Sequence, residues 1–217
     1  MSLAIFDLDD TLIGGNSPSL WTQHLGDLGW LDSRSFLPGE QALVEAYSLG
    51  QASLEDYLNY SLQPLVGRTP DEVEFIVGPF VEDVIEPLIY SDAMHCVAAH
   101  RASGDEILII SATPTFLVQA IAERLGIEQV LGTDLELQYG HYSGKISGIA
   151  CAREGKVQKL QAWLSAQSLA LDGAHFYSDS HNDLPLLQHV THAYAVNPDS
   201  QLRQHAQQHG WDILNWN

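Results

Sequence analysis

Basic side chains are scarce in this sequence: nine Lys and Arg stand against 28 Asp and Glu, a formal charge of −19. That scarcity excludes a nucleic-acid surface, which needs clustered Lys and Arg. Cysteine is scarcer still. Cys96 and Cys151 give no disulfide framework and fit a reducing compartment. No apolar run reaches the roughly 18 residues that a membrane-spanning helix needs. No positively charged segment precedes Leu3-Ala4-Ile5-Phe6, which reads against a secretory signal. The expectation is a cytoplasmic protein with no membrane and no nucleic-acid partner. There are no internal repeats and no low-complexity tracts.

What is present is a globular composition: 217 residues, 45% apolar and 17% charged. That length suits one domain, or one domain with a modest insertion. The acidic charge is uneven. Residues 16–90 hold 12 acidic and two basic residues, Arg34 and Arg68, and so carry −10 of the −19. Solubility alone would account for such a charge, but its field would also favour a substrate with a cationic end.

Two regimes of apolar spacing follow one another. Residues 4–6 read as a short buried strand, and Gly14-Gly15-Asn16-Ser17-Pro18 as a turn. From residue 20 to about 89 the spacing is mostly helical, as in Leu54, Tyr57, Leu58 and Leu62, with Pro38-Gly39, Gly67 and Thr69-Pro70 as punctuation. Thr69-Pro70-Asp71-Glu72 is a helix start. From residue 91 helix and strand alternate: helices over 92–102, 114–125, 156–167 and 184–189, strands over 106–110, 129–131, 174–177 and 193–196, and a hairpin through Tyr139-Gly140. Such alternation predicts an α/β fold, a doubly wound, mostly parallel sheet covered by helices, with a helical bundle inserted after the first strand.

Four segments carry chemistry. In Phe6-Asp7-Leu8-Asp9-Asp10-Thr11-Leu12, a strand delivers two carboxylates at its carboxyl end, where open α/β sheets bind ligands. Alternation starts Asp7 and Asp9 on the same side. Adjacent carboxylates repel unless a proton or cation neutralises them, so a divalent metal is a natural partner. An acidic turn capping a helix would look the same in isolation. In Ile107-Leu108-Ile109-Ile110-Ser111-Ala112-Thr113-Pro114, a second strand ends in small hydroxyl residues before a helix start, a setting that suits a phosphate or simply a helix cap.

Lys156, in Glu154-Gly155-Lys156-Val157, opens a helix, where a cation opposes the dipole. That makes a charge-neutralising role more attractive, although a solvated lysine is the commoner reading of such a residue in isolation. In Phe176-Tyr177-Ser178-Asp179-Ser180-His181-Asn182-Asp183-Leu184, another strand ends in carboxylates four residues apart. Hard oxygen donors with room for water and a phosphate oxygen describe a magnesium site, although Asp179 or Asn182 would equally cap a plain helix.

In this order the segments resemble those of the haloacid dehalogenase-like (HAD) hydrolases, specifically the phosphoserine phosphatase-like branch, subfamily IB. The resemblance spans nearly the whole chain. It implies a Rossmann-like core of residues 1–15 and 91–217 with a C1-type helical cap over 16–90. It implies that Asp7 attacks phosphorus to form a phosphoaspartate, while Asp9 protonates the leaving oxygen and then deprotonates water. Mg2+ would be held by Asp7, Asp179 and the backbone carbonyl of Asp9, with Asp183 ligating directly or supporting from behind. Ser111, Ala112, Lys156 and Asn182 would bind the phosphate. A carboxylate at Asp9 points to a phosphatase rather than to the family's dehalogenases.

The substrate is expected to be a small phosphorylated metabolite. Phosphoserine phosphatases carry a Glu where this chain has Asn16, a cap Arg where residues 35–67 hold no Arg or Lys, and Ser-Gly-Gly where this chain has Ser-Ala-Thr. A buried substrate carboxylate without an Arg partner is costly, so phosphoserine is the alternative. The first motif followed by Ile13-Gly14-Gly15-Asn16-Ser17 and Trp21 is similar to a bacterial subgroup that includes histidinol-phosphate phosphatases. Acidic residues with the aromatics Trp21, Trp30, Tyr57 and Tyr60 suit an amine and an imidazole, and the same aromatics would serve as cap core.

Asn16, Trp21, Glu45 and Asp56 are the candidate substrate contacts, and histidinol phosphate or a related amino-alcohol phosphate is the first expectation. Phosphoryl transfer to an alcohol is open to the same fold. A silent regulatory module is disfavoured because no motif carboxylate is missing. His205 and His209, at i, i+4 spacing, lack an evident third ligand and read as a solvated helix. Nothing in the sequence fixes an oligomeric state.

Overall fold

Strand β1 (Leu3–Phe6) lies at the centre of a six-stranded parallel sheet whose order is β3-β2-β1-β6-β7-β8. Its neighbours are β2 (Glu106–Pro114) and β6 (His175–Ser178); outside them lie β3 (Gln129–Thr133), β7 (His192–Val196) and β8 (Asp212–Leu214). The remaining strands, β4 (Leu135–Gln138) and β5 (His141–Ile146), form the expected antiparallel hairpin. This computed structural model describes residues 2–217, the side chain of Ser48 excepted. The doubly wound sheet is the one the alternating pattern predicts.

Strand order reverses at β1, which pairs with β2 on one side and β6 on the other. Such a switch point opens a crevice at the carboxyl ends of the strands. All three strands run their carboxyl ends into the motif residues.

The period of two along the strands sorts the core. Ala4, Phe6, Ile107, Ile109 and Tyr177 face one apolar cluster, and Leu3, Ile5, Leu108, Ile110 and Phe176 the other. The first cluster does not stop at the sheet. It continues through Leu12 and Ile13 into Trp21, Leu58, Leu65, Val77 and Phe80 of the inserted helices. Phe80 is fully buried there; truncating it to Ala would cost about 3–5 kcal/mol.

Those helices are α1 (Ser17–Asp27), α2 (Ser33–Ser48), α3 (Leu54–Ser61) and α4 (Pro70–Phe80). The expected start of α4 is a full capping box, in which Thr69 and Glu72 satisfy each other's backbone N–H groups. Pro38-Gly39 does not end a helix: both residues lie inside α2. Tyr60 explains the glycine, since a Cβ at Gly39 would sit 2.3 Å from its hydroxyl oxygen, and that hydroxyl donates to the Phe36 carbonyl at 3.0 Å. After Pro79 the backbone widens into a π-helical turn, Val81–Ile85.

The chain leaves and re-enters the sheet layer side by side. Gly14 N–H donates to Leu88 O at 2.8 Å, Tyr90 N–H to Leu12 O at 3.0 Å, and Ile13 and Ile89 form an antiparallel bridge.

The helices around the sheet are α5 (Ser91–Ala102), α6 (Thr115–Leu125), α7 (Glu154–Gln167), α8 (Leu184–Leu187) and α9 (Ser200–His209). Strand β2 is longer than its apolar run and carries Ser111, Ala112 and Thr113 before α6 begins at Thr115. Helix α8 starts at Leu184 as expected but ends after one turn, at Leu187 rather than 189; a 3-10 turn, His181–Asp183, precedes it. Strand β8 lacks a sequence signal: three residues after a glycine stop do not display a period. Among the described residues no helix is long and apolar enough to cross a membrane.

Candidate active site

Three strand ends meet in a cavity of about 220 Å³ at the switch point, walled by the inserted helices. Asp7 enters directly from β1. Its Oδ1 accepts a hydrogen bond from Lys156 Nζ at 2.7 Å, and the same ammonium donates to Asp183 Oδ2 at 2.7 Å. Lys156 is only 3% exposed. The misfit of a lysine in the first turn of α7 is thus resolved by two carboxylates. Gly155 permits this approach: a Cβ there would lie 2.0 Å from the Ala150 carbonyl oxygen.

Asp10 takes the left-handed conformation, φ 54°, which Asp tolerates better than most residues. The chain thereby turns out of β1, and Asp10 Oδ1 accepts from Gly15 N–H at 2.8 Å. Asp9 turns toward the helical wall. Its Oδ1 accepts from the backbone N–H of Ser17, the first residue of α1, at 2.6 Å, and its Oδ2 accepts from Thr113 Oγ1 at 2.7 Å. A carboxylate at a helix N-terminus also meets the favourable end of the dipole.

Asp179 follows β6 and is tied to the first motif across 168 residues, its N–H donating to Thr11 Oγ1 at 3.1 Å. Asp183 is also held by Ser178 Oγ at 2.7 Å. Ser111 Oγ accepts from Thr113 N–H at 3.2 Å. Asn182 Oδ1 accepts from Arg153 Nε at 3.1 Å. Ser111, Ala112, Lys156 and Asn182 all line the cavity.

The electrostatics record a surplus of negative charge. Burial pushes the Asp7 carboxyl up to about 7, with Lys156 pulling it down and Asp183 and Asp9 pushing it further. Burial also raises Asp9, against the hydrogen bonds of Ser17 and Thr113. Asp179 is raised well above the carboxylate range by burial and by the charges of Asp7, Asp183 and Asp10. Burial would lower Lys156, but Asp183 and Asp7 outweigh it and raise the ammonium instead.

Asp7 and Asp183 therefore share one ammonium, Asp179 has no cation bonded to it among the described residues, and a divalent cation fits the charge left over. Among the described residues no three His, Cys, Asp or Glu side chains gather as a metal cage. A cation here would draw on two carboxylates and neutral oxygens, the sparse protein donor set that magnesium accepts. Asp183 Oδ2 is already engaged by Lys156 and Ser178.

Candidates from the helical segment fare unevenly. Trp21 lines the cavity, packed edge-on against Phe80 and Phe116. Asn16 also lines it, but its Oδ1 is the cap of α1, accepting from Ser19 N–H at 3.0 Å. Glu45 and Asp56 are exposed and not among the lining residues; Asp56 belongs to the capping box of α3 with Ser53. His205 and His209 stack on each other, and His209 Nδ1 is bonded to the His205 carbonyl.

Four polar partners were not singled out from sequence: Ser17 and Thr113 on Asp9, Ser178 on Asp183, and Arg153 on Asn182. Thr113 and Ser178 lie within the quoted motifs, so the signal was a hydroxyl beside a carboxylate-bearing strand end. Arg153, with φ 52°, reaches the cavity and lies over the Tyr47 ring, 5.1 Å from its centroid.

Carboxylates from β1 and β6 and a buried lysine gathered at a doubly wound switch point define a class, and the sequence comparison agrees with it. Residues 4–188 match the haloacid dehalogenase-like hydrolase model, and the chain belongs to that family as one of its phosphatases. It is 35% identical over 219 residues to the histidinol-phosphatase of Neisseria meningitidis, covering 99% of each chain. It is 30% identical to a phosphoserine phosphatase of Mycobacterium tuberculosis, covering 97% of this chain and 69% of that protein. A crystal structure of a Bordetella pertussis protein of unknown function superposes with a TM-score of 0.89 at 36% identity, over 98% of this chain and 97% of that one.

Proposed function

We propose that the chain hydrolyses a small phosphate monoester, with Asp7 as nucleophile and Asp9 as the proton carrier. The observation that carries this reading is the pairing of Lys156 with Asp7 beside an Asp9 held by two donors. Asp7 Oδ attacks phosphorus in line, the ester oxygen leaves, and an aspartyl phosphate forms. Asp9, raised by burial, carries the proton that the departing oxygen needs. It then removes a proton from the water that attacks the aspartyl phosphate, releasing inorganic phosphate and restoring Asp7.

Ser111, the Ala112 backbone, Lys156 and Asn182 bind the phosphoryl oxygens, Lys156 by charge and the others by hydrogen bonds. Asp183 positions Lys156. Asp7, Asp179 and the Asp9 carbonyl would hold Mg2+, which when bound would supply Lewis-acid stabilisation of the phosphoryl charge. Residues 16–90 act as a cap that excludes water from a core of residues 1–15 and 91–217.

The substrate is histidinol phosphate or a related amino-alcohol phosphate. The Neisseria relative, matched end to end, supports this, as does a cavity whose helical wall contributes Trp21, Tyr47 and Tyr57 and no Lys or Arg. Phosphoserine is the second reading. It is favoured by Arg153, a cation on the core side of the cavity. Phosphate release from histidinol phosphate, phosphoserine and a neutral sugar phosphate, with and without magnesium, tests both. Hydrolysis of phosphoserine alone would reverse the order, and release that continues in Asp7→Asn would remove the nucleophile assignment.

A further inference from the structure

Outside the motifs, one buried carboxylate is bonded to a residue that lines the same cavity. Glu40 on α2 is 3% exposed. Thr22 Oγ1 lies 2.7 Å from Glu40 Oε1 and also 3.0 Å from the Pro18 carbonyl oxygen. A hydroxyl has one hydrogen to give, so Glu40 receives a shared hydrogen bond at most. Burial accordingly holds its carboxyl above the usual range, with Thr22 offsetting only part.

Glu40 communicates with the cavity through its neighbours. Thr22 and Tyr57 both line it, and the Tyr57 hydroxyl feels the charges of both Glu40 and Asp9. Trp21, next to Thr22 on α1, lines it too. Its Nε1–H is buried with no acceptor among the described residues. A half-satisfied carboxylate and an orphan donor on one wall are each unfavourable in the protein alone. A ligand with a positive N–H group would set a countercharge in front of Glu40, and an acceptor nitrogen would satisfy Trp21.

We infer that Trp21, Thr22 and Tyr57, with Glu40 behind them, form the specificity subsite for the end of the substrate remote from the phosphate. It takes a protonated amine or an imidazole, with Glu40 supplying the countercharge. The inference rests on the phosphatase reading of Asp7 and Asp9, and it transfers the role expected of Glu45 and Asp56 to Glu40.

The test compares L-histidinol phosphate with glycerol 1-phosphate, which has no nitrogen, using the full chain with magnesium. Absence of phosphate release from both by the unmodified protein would mean that the phosphatase reading itself had failed. With release established, the unmodified protein is expected to prefer histidinol phosphate. Glu40→Gln should lower the ratio of the two kcat/KM values at least about tenfold, chiefly through KM for histidinol phosphate. Trp21→Phe, which keeps a ring and removes the N–H, should lower it about threefold or more.

No initial preference, or a ratio within twofold of the unmodified protein's in both variants, overturns the subsite. Should Glu40→Gln melt too low to assay, Trp21→Phe decides by the same criterion.

Discussion

Thr113 Oγ1 donates to Asp9 Oδ2 at 2.7 Å, joining the end of β2 to the carboxylate that follows β1. Because Ser17 N–H occupies the other oxygen, Asp9 has a fixed orientation before any substrate arrives. Asp9→Asn keeps both contacts in shape but cannot exchange the proton. Its kcat should fall about 10²–10⁴-fold, read as phosphate release. Thr113→Val should give a smaller loss, about tenfold, through a loosened carboxylate. Equal losses in the two variants would mean that Asp9 acts structurally.

Among the described residues, Lys156 is the only cation bonded to the buried carboxylates Asp7 and Asp183. Lys156→Met removes it while keeping much of the volume. Breaking a buried pair from one side typically costs about 3–5 kcal/mol, so a lower melting temperature and loss of phosphate release are expected together. Magnesium should recover part of the melting temperature in this variant, since the cation replaces the missing charge. No magnesium effect on melting would contradict the shared-charge account.

Asp7 titrates near 7 without a cation, and burial is the main cause. A carboxylate with a raised pKa is protonated below that value, and a cation must displace the proton. Magnesium binding should therefore weaken as pH falls from 8 to 6 and should release protons near pH 7. Calorimetry in two buffers of different ionisation enthalpy would measure both. Binding that is flat across that range would place the cation elsewhere.

Away from the cavity, the hydrogen bond from His100 Nδ1, and then those from Ser2, hold Asp105 well below the usual carboxylate range. A depressed folded-state pKa contributes stability above the unfolded value, near 4, that is lost as pH falls further. Asp105→Asn should destabilise the protein at pH 7. The difference from the unmodified chain should narrow in acid, as followed by urea unfolding at pH 7 and pH 3.5. A constant difference at the two pH values would exclude this linkage.

The strands that carry the site were readable because β1 and β2 are built on continuous apolar runs, and β6 on Phe176-Tyr177, that stop at a carboxylate or hydroxyl. The alternation of helix and strand predicts that they share a parallel sheet, but the position of β1 between β2 and β6 is not written in that pattern. The helical wall was harder. Glu45 and Asp56 look like cavity carboxylates only if helix rotation is ignored; α2 and α3 turn them outward and bury Glu40 instead. Pro38-Gly39 hid that outcome, because a proline and glycine pair reads as a break, whereas Tyr60 packing against Gly39 keeps α2 continuous. Partners such as Thr11 with Asp179 depend on loops meeting across 168 residues, which no local pattern encodes.

Leu12, Ile13 and Gly14, on the way out of the sheet, are stitched to Tyr90, Ile89 and Leu88 on the way back. The two tethers behave as one edge. A swing of the intervening helices about that edge would keep the stitching intact but would have to break the bonds from Gly67 N–H to Tyr142 O and from Tyr142 N–H to Arg68 O, which tie the same helices to β5.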